Sequence, residues 1–494
     1  MYSVRTTKTA SGATAVQVVR YECRRTIVVK HIGSSHGPDD LASLKQTARD
    51  WIEKQTGQPP LLAEHKSPAS LLIPINKCRY LGFRYALIYD IVQRVFRLFH
   101  VDGLDVLLRD LALIRLVEPT SKVESLQLLS TYFGQTHSRA ELYRQLPSLI
   151  RLKNQVEKKM VAFAQSQYQF DFSLVFYDVT TLYFESFKED EFRKNGYSKD
   201  HKANQPQILV GLMVTREGFP VAYDLFEGNT FEGHTFLPIL RQFKEKHAID
   251  HFTVVADAAM ISQDNITQLV NSHLSYIVGA RVANLSLNQI QIISRSLNQI
   301  DQASIRIETE RGPLICDFAL SRYQKDKRDL ENQIARAEKL LTQHQVLKRT
   351  KFIKNEGKSK QTLNHELIEK TQMLLGIKGY YSNLTAVDNQ TIINHYHSLW
   401  HVEHAFRIAK SDLAIRPVYH YKKQAIEAHV LICFLALAAC KYLEIRTGKS
   451  IREVVKLLKS VTDARLENQI TGEEITIRSE ISPQAQELLS SLQY

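Results

Sequence analysis

Five strand-like segments follow one another between residues 171 and 280, and helix-like segments separate the last three of them. The first segment, FSLVFYDVTTLYF, is β-branched and aromatic on both faces, which predicts a central strand. PQILVGLMVTRE and FPVAYDLFEG meet around Gly218, and this pattern predicts an antiparallel hairpin. FTVVAD and SYIVGA complete the series. The central part of the chain is therefore predicted to form one sheet.

Two of these strands carry an acid where the apolar pattern ends. Asp178 follows an apolar run in the first strand, and Asp257 follows the segment TVVA. A carboxylate in such a position is costly unless it is paired or bound to a cation. Strand-end acids also serve as helix caps. Two of them on adjacent strands of one sheet predict a functional cluster.

A third acid lies in the segment YHSLWHVEHAFRIAK, which is predicted to belong to one helix from about residue 390 to 411. Tyr396, Glu403 and Lys410 are spaced seven residues apart, about two helical turns, so they share one face. Leu399 and Arg407, each four residues from Glu403, lie on that face too. A solvated helix with i,i+4 ion pairs would show the same spacing.

These motifs, in this order, resemble the RNase H-like catalytic core. More closely, they resemble the DDE transposases of bacterial insertion sequences, in the clade with a Tyr-x2-Arg-x3-Glu-x6-Lys signature. Here the signature reads Tyr396, Leu399, Glu403 and Lys410, with leucine in place of arginine. The first two acids of the family match Asp178 and Asp257. The resemblance spans about residues 170–440.

The resemblance implies an α/β fold with an RNase H-like mixed sheet flanked by helices and interrupted by an insertion before the Glu403 helix. Proline-rich and helical patterns place a small strand-rich segment and a helical region before it. The expected domains are a strand-rich segment with a linker at 1–84, a helical DNA-binding region at 85–168, a catalytic domain at 169–446 with its insertion at about 285–388, and a tail at 447–494.

The same resemblance implies that Asp178, Asp257 and Glu403 are catalytic and hold two Mg²⁺ ions, with Mn²⁺ able to substitute. Hard cations prefer carboxylate oxygens, and two of them can activate the attacking oxygen and stabilise the leaving oxygen of a phosphodiester. Expected DNA contacts lie on the Glu403 helix, in a polar loop and in a basic run: Tyr396, Lys410, Arg407, Lys199, His201, Lys348, Arg349 and Lys351.

Composition supports an anionic partner. The net charge is +12, and the excess of lysine and arginine falls in residues 1–150 and 301–380, on either side of a nearly neutral segment. The five cysteines include no CxxC pair, which favours a reducing compartment. The apolar run Val430–Cys440 is too short to span a membrane. We expect a cytoplasmic bacterial protein, associated with the nucleoid when it is bound to DNA.

The expected function is that of a DNA transposase: it binds terminal inverted repeats, cleaves the DNA ends and joins them to target DNA, as a homodimer on paired ends. Two alternatives remain open: a catalytically inactive DNA-binding relic of the same fold, and a metal-independent hydrolase with two catalytic carboxylates. His397, His401 and His404, at i, i+4 and i+7, match a zinc pattern that lacks a further convincing ligand.

Overall fold

The computed structural model describes residues 2–22, 25–56, 77–197, 204–260, 262–342, 350–356 and 360–494. The chain forms two compact units. The first comprises Met1–Ile91, Gln127–Thr136 and Val455–Tyr494, and the second comprises Val92–Leu126 and His137–Val454. These boundaries do not coincide with the expected ones at residues 84, 168 and 446, because most of the helical region belongs to the unit that holds the large sheet.

The first unit begins with an antiparallel sheet. Its strands are β1 (Tyr2–Lys8), β2 (Thr14–Glu22) and β3 (Arg25–Ser35), and helix α1 (Pro38–Thr56) packs against them. The apolar side chains of one sheet face and of α1 form a small core, namely Val16, Val18, Ile32, Leu44 and Ala48. β4 (Cys78–Arg84) belongs to a separate sheet of the same unit. The predicted strand pair is confirmed, and β1 is an addition to it.

Helices occupy the next part of the chain, as the 3.6-residue period predicts. They are α2 (Ala86–Leu98), α3 (Val106–Val117), α4 (Lys122–Leu128), α5 (Arg139–Gln145) and α6 (Lys153–Tyr168), with a π-helical turn at Leu129–Phe133 and a 3₁₀ turn at Leu146–Leu152. Asp105 caps α3, because its side chain accepts a hydrogen bond from the amide of Leu108. Almost every residue of α3 is buried.

The large sheet of the second unit begins with five strands and two helices: β5 (Leu174–Tyr183), β6 (Gln207–Val214), β7 (Pro220–Glu227), α7 (Glu232–His247), β8 (Thr253–Ala256), α8 (Gln263–Asn271) and β9 (Ser275–Ala280). Their spatial order is β7-β6-β5-β8-β9, with β6 antiparallel to β5 and β7, and with β5, β8 and β9 parallel. This is an RNase H-like mixed sheet, and the predicted hairpin and central strand are confirmed.

The insertion extends this sheet. It comprises α9 (Leu287–Leu297), β10 (Ser304–Thr309), β11 (Gly312–Phe318), α10 (Leu320–Thr342), β12 (Ile353–Glu356), β13 (Lys360–Leu363), α11 (His365–Met373) and β14 (Ile377–Ser382). β14 pairs with β9, and β11 and β10 follow, which gives eight strands. α10, the β12–β13 hairpin and α11 share a core of Leu330, Ala337, Phe352 and Ile368.

The predicted single helix over residues 390–411 is interrupted. It consists of α12 (Asn389–His397), α13 (Trp400–Arg407) and a π-helical turn at Ile408–Asp412. The amide of Ser398 bonds back to three carbonyl groups of the last turn of α12, which ends that helix. Leu399 opens α13 and is buried. A helix interrupted at this point cannot keep Tyr396 and Lys410 on one straight face.

α14 (Lys423–Thr447) is the core helix of the second unit and packs against α3. Within the described residues it is long and apolar enough to cross a membrane by length and composition, because it extends well beyond Val430–Cys440. However, 94% of its most apolar window is buried inside the protein. Protein packing therefore accounts for its apolar composition.

The tail returns to the first unit. It comprises α15 (Ile451–Lys459), β15 (Asp463–Asn468), β16 (Glu474–Arg478) and α16 (Pro483–Ser491). β15 pairs with β16 and, antiparallel, with β4. Arg478 makes two hydrogen bonds to the buried carboxylate of Asp463, at 2.7 and 3.1 Å, which ties the two strands together. The predicted tail thus supplies two strands of a three-stranded sheet, and β4 supplies the third.

Candidate active site

The first two acids lie on adjacent parallel strands. Tyr177 of β5 is opposite Ala256 of β8, so the next residue of each strand, Asp178 and Asp257, falls at the same level of the sheet. Asp178 is half-buried in the middle of β5, not at its end as the sequence indicated, and Asp257 is exposed directly after β8. Side chains in register on neighbouring strands are close together.

Two donors hold the Asp257 carboxylate. Its Oδ1 atom accepts a hydrogen bond from the amide of Ala258 at 2.7 Å, and another from the hydroxyl of Tyr396 at 3.3 Å. Its backbone carbonyl accepts the amide of Met260 at 3.0 Å and closes a 3₁₀ turn. The carboxylate is therefore oriented by α12 as well as by its own turn.

Tyr396 occupies a pocket between β9 and β14. Its side chain is only 5% exposed, and its ring centroid lies 4.6 Å from that of Tyr380 on β14. The ammonium of Lys378 lies 4.7 Å from the centre of the same ring. Gly279 on β9 leaves the space that the hydroxyl fills, since a Cβ atom at this position would be 2.4 Å from the hydroxyl oxygen. This glycine is required for close approach rather than for an unusual backbone conformation.

All three acids act electrostatically on this tyrosine. Burial, and then the negative charges of Asp257, Glu403 and Asp178, raise the pKa of Tyr396 well above its usual value of 10.0. The hydroxyl consequently remains protonated at physiological pH and donates to Asp257. The hydroxyl of Tyr396 is therefore hydrogen-bonded to Asp257 and also feels the negative charges of Glu403 and Asp178.

Glu403 reaches the site from α13, which packs across β5 and β6. The apolar side of this helix is buried through Val402, Ala405 and Phe406, whereas Glu403 is exposed. This alternation of apolar and polar positions is the amphipathic pattern that aims the carboxylate away from the core.

The other predicted site residues fall in different surroundings. Arg407 is exposed on α13, one turn after Glu403. Lys410 is half-buried in the π-helical turn and lines an apolar cavity with Val210, Leu212 and Phe434. Lys351 is exposed, with its ammonium 4.8 Å from the ring centre of Phe352. Lys199, His201, Lys348 and Arg349 lie outside the described residues.

Sequence reasoning missed the groups that surround Tyr396. Asp317 on β11 accepts the hydroxyl of Tyr380 at 2.7 Å and the guanidinium of Arg322 at 3.3 Å. Lys378 is the strand neighbour of Asp317. None of these residues carries a motif, and they reach the site only because β14 pairs with β9. Gly279 in SYIVGA was the visible signal, because glycine inside a strand often marks a close approach.

The residue types fit a divalent cation, with three carboxylates as hard oxygen donors. Within the described part of the chain, no three His, Cys, Asp or Glu side chains lie close enough together to hold one ion. Mg²⁺ commonly takes one or two protein carboxylates and completes its shell with water and phosphate oxygens, so two carboxylates for each ion suffice.

The three histidines make separate contacts. His397 lies 3.2 Å from the hydroxyl of Tyr380, His401 stacks on Trp400, and His404 lies 3.3 Å from Lys441. The structure thus gives no support to a zinc site.

The sequence matches the family described as "Transposase DDE domain" over residues 169–439, which is more than half of the chain. The chain therefore belongs to this family of DNA-cleaving transposases.

A search of solved structures finds the protein similar to the piggyBac transposase in a synaptic complex with hairpin DNA. The two are 8% identical, with a TM-score of 0.36 over 76% of this chain and 68% of that chain, a likeness too remote to add to the family assignment. A search of curated proteins finds no match.

Proposed function

We propose that this protein is the transposase of a bacterial insertion sequence. It binds the terminal inverted repeats of its element, cleaves the DNA ends and transfers the freed strands to target DNA. The observation that supports the proposal is the strand register that puts Asp178 and Asp257 at the same level of adjacent parallel strands, in a chain of the transposase DDE family.

Asp178 and Asp257 would hold one Mg²⁺ ion, and Asp178 and Glu403 the other. Bound Mg²⁺ supplies Lewis-acid stabilisation of the attacking and leaving oxygens of the phosphodiester. Tyr396 fixes the rotamer of Asp257 through its hydrogen bond, so the carboxylate is oriented before DNA arrives. Mn²⁺ has the same ligand preference and would substitute.

The exposed side of α13 is the proposed DNA-contacting face. It presents Trp400, which is 53% exposed, together with Glu403 and Arg407 at helical spacings of three and four residues. Arg407 would take the role of the arginine that Leu399 replaces, since Leu399 is buried. The low exposure of Tyr396 supports a role through Asp257 rather than a direct grip on a phosphate.

The remaining DNA contacts are proposals from composition. Lys410, Lys199, His201 and the run Lys348, Arg349 and Lys351 would supply phosphate contacts. The region 85–168 and the strand-rich N-terminal segment would add further DNA binding. Two copies would act on paired ends, in the bacterial cytoplasm.

The test is a cleavage and gel-shift assay on DNA ends of the element with the variant Asp178→Asn. Cleavage in Mg²⁺ should fall by at least three orders of magnitude, because each proposed Mg²⁺ ion loses its Asp178 carboxylate. DNA binding in EDTA should stay within twofold of the wild type. Asp250→Asn is the matched control, because Asp250 is exposed at the opposite end of β8. Cleavage by Asp178→Asn at the wild-type rate would remove this residue from the mechanism.

The same assay separates the two alternatives. Binding of the ends by the wild-type protein without Mg²⁺-dependent nicking would identify a DNA-binding relic. Leucine at position 399, where the signature has arginine, favours this alternative. Hydrolysis of a substrate in EDTA, independent of DNA, would identify the two-carboxylate hydrolase.

A further inference from the structure

Lys378 lies at the same end of the strands as Asp257, which directly follows β8. β14 runs antiparallel to β9, with Gly379 opposite Ala280, so the start of β14 is beside the end of β9. β9 is parallel to β8, which ends one residue before Asp257. Strand pairing alone therefore brings Lys378, near the start of β14, to the same end of the sheet as Asp257.

The ring of Tyr396 holds the lysine ammonium next to the acidic site. The Nζ atom lies 4.7 Å from the ring centre, a cation–π contact, and the hydroxyl of the same ring donates to Asp257. One aromatic side chain thus positions both a cation and a carboxylate.

Within the described parts of the chain, Lys378 belongs to no ion pair. Burial, and then the positive charge of Arg322, lower the pKa of Lys378, whereas the negative charges of Asp317, Asp257 and Glu403 act in the opposite direction. However, among the residues that the structure describes, none of these carboxylates forms an ion pair with it within 4.0 Å. The side chain is also exposed. An ammonium that is oriented, exposed and not tightly paired is available to an anionic ligand.

We propose that Lys378 binds a phosphate of the DNA strand being cut, next to the carboxylate site. This inference rests on the proposed function and adds a contact that no signature residue provides. The three acids repel the DNA backbone, so a cation beside them would stabilise the neighbouring phosphate. Lysine suits this role because its ammonium is a compact point charge that binds phosphate oxygens without a fixed bidentate geometry.

A purely structural role would make a different prediction. If Lys378 served only to pack on Tyr396, replacing it by methionine would leave DNA binding unchanged and alter only stability. The two roles are separated by the salt dependence of DNA binding in EDTA, which does not require cleavage.

The experiment compares Lys378→Met, Lys378→Arg and the control Lys327→Met, whose lysine is exposed on α10. Binding of a DNA end is measured in EDTA from low to high salt. Lys378→Met should reduce the slope of log K against log salt by about 0.9, the value for one lost phosphate contact on duplex DNA. Lys378→Arg and Lys327→Met should keep the wild-type slope.

A DNA-side substitution locates the contact. Single methylphosphonates, which remove one phosphate charge each, are placed around the cut site. At one position the wild-type protein should lose about tenfold in affinity while Lys378→Met loses nothing further. Cleavage by Lys378→Met in Mg²⁺ should fall at least tenfold, with an unchanged melting temperature.

An unchanged salt slope, or equal losses for both proteins at every methylphosphonate position, would overturn the phosphate contact. Failure of the wild-type protein to cleave DNA at all would instead refute the proposed function. The role of Lys378 would still be decided, because the binding measurements in EDTA do not depend on cleavage.

Discussion

Tyr396 shows how a single side chain organises this site. It is buried between β9 and β14, it orients Asp257 with its hydroxyl, and it supports Lys378 with its ring. Burial, and then the negative charges around it, raise the pKa of Tyr396, so the hydroxyl stays protonated and can donate to a carboxylate. The residue acts by positioning other groups, so changes in its pocket should affect cleavage more than DNA binding.

Gly279→Ala tests this pocket. The added Cβ atom would overlap the Tyr396 hydroxyl, so we expect a loss of about 1–3 kcal/mol in the free energy of unfolding and at least a tenfold loss in cleavage. In a Tyr396→Phe background the same substitution should cost much less, because the overlapping oxygen is gone. Gly103→Ala is the control, because a Cβ there meets nothing within 4 Å. Equal costs in both backgrounds would contradict the contact.

A second residue-scale feature is a buried cation in the core of the same unit. Lys122 is 7% exposed, and its ammonium lies 2.7 Å from Nδ1 of His429. Burial, and then the charge of Arg115, lower its pKa from 10.5 to about 7. His429 bonds to the carbonyl of Ile415 through its other nitrogen, which leaves Nδ1 to accept from the lysine.

This lowered pKa has a stability consequence. Between about pH 7 and 10.5 the unfolded chain binds a proton at Lys122 that the folded protein has released. The free energy of unfolding therefore rises with pH through that window. Below about pH 7 the folded protein carries the full destabilisation that comes from burying the charged lysine. Between pH 7 and 9, the free energy of unfolding of the wild type should increase by about 2 kcal/mol relative to that of Lys122→Met.

Urea unfolding at several pH values measures this difference. Burial lowers the pKa values of His420 and His429 and raises the pKa of Cys433. Both proteins contain these neighbours, so the difference between their pH profiles reports on Lys122. A constant difference between the two proteins from pH 7 to 9 would show that Lys122 does not change its charge there.

At the scale of elements, the insertion does more than extend the sheet. Arg306 on β10 donates to the carbonyl groups of Leu384, Thr385 and Val387 and to the side chain of Asn389, at 2.6–3.3 Å. This single guanidinium therefore holds the loop that leads into α12. The insertion is thereby connected to the helix that carries Tyr396.

Arg306→Met should loosen the start of α12. We expect faster amide hydrogen exchange in residues 384–397 and a loss of about 1–3 kcal/mol in the free energy of unfolding, because several carbonyl groups lose a charged donor. Cleavage should fall while DNA binding is retained. Arg311→Met, in the exposed β10–β11 turn, is the control. Unchanged exchange in this segment would show that α12 is held without Arg306.

At the scale of the whole molecule, the uneven charge is the property most relevant to DNA. The net charge of +12 is modest for 494 residues, but the basic excess lies outside the segment that holds Asp178 and Asp257. Cations around an acidic centre suit a nuclease, because the phosphate backbone supplies affinity while the acids recruit metal.

Neutralising Lys348, Arg349 and Lys351 together should flatten the salt dependence of DNA binding by up to about 2.7 in slope, if all three contact phosphates. The matched triple on α10, Lys325, Lys327 and Arg328, removes the same charge from an exposed helix and should leave the slope near that of the wild type. Equal flattening by both triples would assign the effect to net charge rather than to the basic run.

The sequence by itself determined the order of the catalytic strands, the hairpin at Gly218 and the family. Strand-length apolar runs and turn residues are local signals, and the acids stand out because a carboxylate in an apolar strand is costly. The interruption of the helix after Tyr396 was not predictable in this way, because the sequence there keeps its helical period and contains no proline or glycine.

The tertiary structure alone decided which groups surround the acids. The pairing of β14 with β9 brings Lys378 and Tyr380 to the site, and the pairing of β15 with β4 joins residues 463–468 to residues 78–84. Such pairings depend on which edges are left open once the rest has folded, and no local pattern encodes them. The predicted acids were therefore visible as residues, whereas the pocket that orients them exists only in the folded protein.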